Sequence, residues 1–316
     1  MFTPKKSLGQ NFLKSRSVLN KIVEAADIKS TDTVLEIGPG LGTLTEKLLE
    51  KTNTVIAIEK DRRLIEYLQE KFAKEISNKK LILIEEDILK FTNYQLLTTH
   101  YKLVANIPYY ITGAIFKKFL EEGPQPQKIV LLVQKEVAQR IVGRQGKARR
   151  RGRRCLIPSG EGVALTESCT KESILSLSVK AYGEPKIVAK VPAGAFSPRP
   201  KVDSAILLID NVSKKFFIEN KIDEKRFFEI IKKGFAHKRK TLAKNLGPRV
   251  RPFGDSPYLL GGTVPTNASK ILKKCGLPEK VRAEDLKLND WVCLIKNLCT
   301  LEGTDPSSEG WRVYPL

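Results

Sequence analysis

The chain has 316 residues, with 56 Lys and Arg against 35 Asp and Glu, a formal charge of +21. With 41% hydrophobic residues it can bury a sizeable core, which excludes global disorder, and its length suits one large domain with a smaller one. The charge calls for a polyanionic partner, nucleic acid before an anionic membrane, and the longest apolar run, Ile129 to Val133, is far too short to cross a bilayer.

The N-terminus runs from Lys5-Lys6 into Ser7-Leu8-Gly9-Gln10-Asn11 with no apolar signal segment. Thr33 to Ile37 reads as a buried strand entering Gly38-Pro39-Gly40-Leu41-Gly42, and Thr43 to Lys51 as a helix with Leu44, Leu48 and Leu49 on one face. Thr54 to Ile58 reads as a second strand and Arg63 to Ala73 as a second helix. Leu81 to Ile84, Lys102 to Ala105 and Lys128 to Val133 continue the series. Strands alternating with helices predict an α/β fold with a doubly wound, mostly parallel sheet. Ser173 to Lys180 and Ser204 to Ile209 read as late strands, suited to an antiparallel edge. After Asp210 the spacing of Phe227, Ile230, Ile231 and Phe235, and the pattern from Leu286 to Leu298, predict a small C-terminal helical domain.

Residues 1–210 are therefore expected to form the α/β domain, 211–299 the helical one, and 300–316 a disordered tail. Gly143 to Lys171 holds Arg149-Arg150-Arg151-Gly152-Arg153-Arg154 and has no apolar period. Gly247 to Ala268 is rich in Gly and Pro. Both read as inserts. The arginine run fits an RNA-binding arm, but its foreign composition fits an in-frame inserted element better. The five cysteines, 155, 169, 275, 293 and 299, form no C-x-x-C pair. Neither a disulfide framework nor a metal site is expected, and a reducing cytoplasm is the expected location.

A strand entering a glycine-rich turn and then a helix is a nucleotide-binding arrangement, because small residues let the backbone approach a ligand at the carboxyl edge of the sheet. Glu59 follows the next strand, where a carboxylate can take both ribose hydroxyls, and Asp87 follows the third, where it can accept from an adenine amine. A dinucleotide fingerprint needs its third glycine at position 43, which is Thr43. The glycine stands at Gly42, and the form E-x-G-x-G-x-G suits S-adenosylmethionine, which has no pyrophosphate.

The fourth strand ends in Asn106-Ile107-Pro108-Tyr109. An exocyclic amine on an aromatic ring is a poor nucleophile because its lone pair is delocalised. The Asn106 side-chain oxygen and a main-chain carbonyl at Ile107 or Pro108 can each accept one N–H, freeing the lone pair for attack on a sulfonium methyl. Tyr109 offers a face on which an extruded base can stack.

These residues resemble the ribosomal RNA adenine dimethyltransferases, the family that dimethylates two adjacent adenines near the end of small-subunit ribosomal RNA. The likeness runs through Ser7 to Leu13, Glu36 to Gly40, Asn106 to Tyr109, Gln134 to Val137, Phe196 to Ser204 and His237 to Leu242. It implies a Rossmann-like methyltransferase fold and cofactor-binding roles for Gln10, Asn11, Leu13, Gly38, Gly40, Glu59, Asp87 and Asn106, with Gln10 in a segment folded over the methionine end. It also implies that Phe196 closes the base from the side opposite Tyr109. Pro200-Lys201-Val202-Asp203-Ser204 favours the small-subunit enzymes over those that methylate large-subunit RNA.

Lys232, Lys233, His237, Lys238, Arg239, Lys240 and Lys244 crowd what reads as one helical stretch of the second domain and suit phosphate binding. The expected partner is the small ribosomal subunit or its precursor, met by a monomeric enzyme with no membrane contact. A non-catalytic RNA-binding assembly factor is the alternative of another class. A nicotinamide oxidoreductase is disfavoured by Thr43.

Overall fold

A computed structural model of the protein describes residues 3–5, 8–97, 100–143, 171–247 and 268–301. The expected inserts and the tail fall almost wholly outside these residues. The described residues form two units, one from 1–142 with 182–213 and the other from 143–181 with 214–316.

The first unit holds nine strands: β1 (Phe12–Leu13), β2 (Thr33–Ile37), β3 (Thr54–Glu59), β4 (Leu81–Glu85), β5 (Tyr101–Ala105), β6 (Lys128–Gln134), β7 (Glu184–Val191), β8 (Phe196–Ser197) and β9 (Ser204–Asp210). Its helices are α1 (Arg16–Ala26), α2 (Thr43–Leu49), α3 (Arg62–Lys71), α4 (Ala73–Ser77), α5 (Thr112–Phe116) and α6 (Lys135–Val142). Seven strands form one sheet in the order β4-β3-β2-β5-β6-β9-β7, and β1 pairs with β8 apart from it. β4 to β6 run parallel, whereas β9 is antiparallel to both β6 and β7. This is the expected doubly wound sheet.

β2 is buried at every residue because it is central and covered on both faces, which is why Val34, Leu35 and Ile37 fill it, with Thr33 and Glu36 its two polar members. Val18, Leu19, Ile22, Val23 and Ala26 give α1 one buried face, and they join Leu48, Val55, Val104 and Val130 in the core. The register does the work for the site. Ile37 pairs with both Ile58 and Ala105, so β2, β3 and β5 end level, and Gly38, Glu59 and Asn106 come out along one edge. The chain order reverses between β2 and β5, the place where such sheets leave a crevice.

The second unit is helical: α7 (Ile174–Tyr182, whose last residue belongs to the first unit), α8 (Lys215–Asn220), α9 (Glu224–Gly234), α10 (Leu242–Leu246), α11 (Ala268–Lys274) and α12 (Leu288–Leu301). Phe227 packs edge to face with Phe217 and Phe228 at ring-centroid distances of 5.4 and 5.2 Å, and Trp291 is fully buried against Phe235.

Two expectations fail here. Ser173 to Lys180 is not a strand, because Ile174–Tyr182 is α7. Its Leu-Ser-Leu-Ser-Val alternation mimics a strand. Local hydrogen bonds decide otherwise: Ser173 Oγ accepts from Ser176 N at 3.1 Å, and buried Glu172 takes Ser176 Oγ at 2.6 Å and Lys180 Nζ at 2.6 Å. The edge strand is β7 instead, which carries Pro185 where an edge tolerates it. The absence of a disulfide fails too, since Cys275 and Cys293 are bonded, with Cα atoms 5.9 Å apart. No sequence motif marks this pair; the end of α11 and the first turns of α12 bring them together.

Candidate active site

The level ends of β2, β3 and β5 open onto one cavity. Gln10, Asn11, Leu13, Gly38, Gly40, Glu59, Asp87, Asn106, Pro108 and Tyr109 all line it. Gly38 has φ of 65°, and a Cβ there would meet nothing within 4 Å, so the bare backbone faces open space where a ligand can press against it.

Glu59 is buried, and its carboxylate accepts three backbone N–H groups: Gly40 N at 3.2 Å, Lys60 N at 2.9 Å and Asp61 N at 2.9 Å. Burial raises its pKa, and these hydrogen bonds oppose the rise. A carboxylate offers about four acceptor positions. Glu59 thus keeps one acceptor position open outright, while a further donor would compete with the Gly40 N–H. Asp87 is held by Lys60 Nζ at 2.7 Å and Leu89 N at 3.0 Å, and the lysine foremost lowers its pKa.

Asn106 donates its side-chain Nδ2 to the Asn11 carbonyl at 3.1 Å. That fixes the amide, and Oδ1 has no partner among the described residues. Tyr109 opens a short 3₁₀ turn, and its hydroxyl shares a 2.6 Å hydrogen bond with fully buried Ser204 Oγ. Pro108 O already accepts from Ile111 N at 3.2 Å, which makes the Ile107 carbonyl the less engaged of the two expected acceptors.

The donor and acceptor set fits S-adenosylmethionine: two carboxylates follow β3 and β4, a glycine cradle follows β2, and an oriented amide follows β5. Phe196 does not join them. It is 4% exposed, pairs with Leu13 through β8 and β1, and packs in the core. The sequence assigns no role to Glu36 by itself, yet it lines the cavity and accepts from Thr45 Oγ1 at 2.7 Å. Burial pushes its carboxyl up to about 8, Thr45 opposes this, and neighbouring Glu59 adds to it. Its position inside the glycine motif was the available signal.

Lys232, Lys233, His237, Lys238, Arg239, Lys240 and Lys244 are all exposed in the second unit. They do not share one helix. Lys232 and Lys233 lie in the last turn of α9, residues 237–240 form a tight loop, and Lys244 lies on α10. Asn245 Nδ2 braces the loop from inside by donating to Gly234 O at 2.6 Å and His237 O at 3.2 Å. Among the described residues, no group of three or more His, Cys, Asp or Glu could hold a metal, and no helix is long and apolar enough to cross a membrane.

A family model described as ribosomal RNA adenine dimethylase matches residues 1–155 and 163–252. The chain is 41% identical over 297 residues to ribosomal RNA small subunit methyltransferase A of Dehalococcoides mccartyi, covering 93% of this chain and 87% of that one. It is 34% identical over 300 residues to the protein of the same name from Fusobacterium nucleatum, covering 93% and 97%. Among solved structures, a dimethyladenosine transferase from Plasmodium falciparum matches with a TM-score of 0.70 at 26% identity over 93% of this chain and 98% of that one. The 23S rRNA methyltransferase ErmE matches with a TM-score of 0.63 at 23% identity over 91% and 99%, a likeness of fold.

Proposed function

Because this chain belongs to the ribosomal RNA adenine dimethylase family, we propose that it dimethylates the N6 amines of two adjacent adenines in small-subunit ribosomal RNA, with S-adenosylmethionine as methyl donor. When bound, the donor supplies an electrophilic methyl group on a sulfonium. Glu59 and Asp87 orient it through ribose and adenine, and Gly38 and Gly40 leave room for its backbone-facing edge. Gln10, Asn11 and Leu13 close the cavity from the N-terminal side.

One observation carries the residue-level reading. The Asn11 carbonyl occupies the Asn106 amide nitrogen, so Oδ1 is presented as an acceptor in the same cavity as Glu59. With the Ile107 carbonyl, Oδ1 takes the two N–H bonds of an adenine amine and frees its lone pair. Tyr109 supports the base, its ring held by Ser204. The methylated amine is cationic and loses its proton readily to water, so no dedicated base is required. The exposed cations around His237 hold phosphates without reading sequence. We read the enzyme as a cytoplasmic monomer.

The relatives named for the small subunit are closer in identity than ErmE, which favours that substrate over the large subunit. The test is transfer of labelled methyl groups from S-adenosylmethionine to undermethylated small subunits, with large subunits in parallel. Label on adjacent adenines of the small subunit supports the proposal; label on the large subunit alone, or none, rejects it.

A further inference from the structure

Asp61 stands immediately before α3, where an aspartate ordinarily accepts backbone N–H groups of the first helical turn. Here it makes no side-chain cap. Its carboxylate is wholly shielded from solvent and spends its capacity elsewhere. Oδ1 accepts from Lys5 Nζ at 3.1 Å and Arg63 Nε at 3.1 Å, and Oδ2 accepts from Gln10 Nε2 at 2.9 Å and Arg63 Nη2 at 2.8 Å. About four acceptor positions exist on a carboxylate, and four donors fill them. Gln10 Oε1 in turn accepts from Lys5 N at 2.7 Å, which fixes the glutamine amide as a donor to Asp61.

Two links lead from this knot into the cavity. The Asp61 N–H donates to Glu59 Oε1 at 2.9 Å, and Asn11, next to Gln10, supplies the carbonyl that orients Asn106. Asp61 itself does not line the cavity. We infer that Asp61 is a positioning residue that pins the N-terminal segment across the cofactor cavity, and through Gln10 and Asn11 sets the orientation of Asn106. The inference rests on the proposed roles of Glu59 and Asn106. It adds that cofactor retention and amine orientation share one buried carboxylate.

The test is Asp61→Asn in the full-length protein, which keeps the shape but puts an amide where four donors converge. Calorimetry should show S-adenosylmethionine and S-adenosylhomocysteine bound about tenfold more weakly, the scale of one charge-assisted hydrogen bond. The single-turnover rate on small subunits at saturating cofactor should also fall about tenfold, because Asn106 loses its fixed amide. Hydrogen exchange should speed up at residues 8–13 while the amides of β2 stay protected. A merely structural role would not slow the saturated rate while β2 remains protected. An unchanged saturated rate, or unchanged exchange at 8–13, overturns the inference. If Asp61→Asn fails to fold, Lys5→Ala removes the half-exposed partner instead, and should weaken cofactor binding about threefold; unchanged binding there overturns it equally. Glu59→Ala and Asn106→Ala run alongside. If they are impaired and Asp61→Asn is not, only this inference fails; if they are intact, the site reading fails.

Discussion

Glu36 holds its proton in the folded chain near neutral pH, because its carboxyl is buried and its hydrogen-bond partner among the described residues, Thr45, is a hydroxyl. Unfolded, the same group ionises near 4.5. The folded pKa is raised, so its contribution to stability is complete below about 4.5 and is lost as pH rises through about 8. Glu36→Gln keeps the shape and cannot ionise. Its melting temperature should therefore decline less than the parent's between roughly pH 5 and pH 8, and parallel profiles would remove Glu36 as a buried acid. Glu59→Ala should weaken cofactor binding by about 1.5–3 kcal/mol, the range for hydrogen bonds to a charged group, read by calorimetry. Asn106→Ala should slow methyl transfer far more than it weakens RNA binding, since its bond strengthens as the amine rehybridises; equal losses in both would reject that role. Most of this site was legible because Gly38, Glu59, Asp87 and Asn106 each follow a strand whose pattern is plain. The packing of Phe196 was not, because a residue type next to a proline-rich loop does not reveal that it pairs with Leu13 and joins the core.

At the scale of elements, Gly42 shows that the third glycine of the motif serves packing. Its φ is 74°, and a Cβ there would stand 2.5 Å from the Phe72 ring and 2.9 Å from Leu68, between the start of α2 and the end of α3. Gly42→Ala should cost about 1–3 kcal/mol of stability by overpacking, measured by denaturant unfolding. Gly42 does not line the cavity, so cofactor affinity should hold once the variant is folded. The parallel strands were readable because each is an apolar run with a turn at its end. α7 was misread because alternation of Leu with Ser satisfies a strand period, and what makes it helical is a hydrogen-bond set on Glu172 and Ser173 that periodicity does not encode. β7 escaped for the opposite reason, as an edge strand carrying Pro185 and a bulge between Ile187 and Ala189.

Across the whole molecule, a charge of +21 means that RNA affinity should fall steeply with salt. Replacing Lys238, Arg239 and Lys240 together by alanine should weaken binding to all RNA sequences alike and reduce the log–log salt slope by about 2–3. An unaltered slope would move the phosphate contacts elsewhere on the chain. The pairing of β1 with β8 sets an order of events during synthesis. Phe12 and Leu13 find their strand partners only when Ser197 and Phe196 have been made, and the Tyr109 hydroxyl waits for Ser204. A nascent chain whose β2 to β6 have already emerged therefore holds every residue that lines the cavity, Leu8 to Ile111, but lacks the strand that pairs with Phe12 and Leu13. The brace behind the N-terminal wall is thus the last part of the site to be made, after all of the lining residues are in the chain.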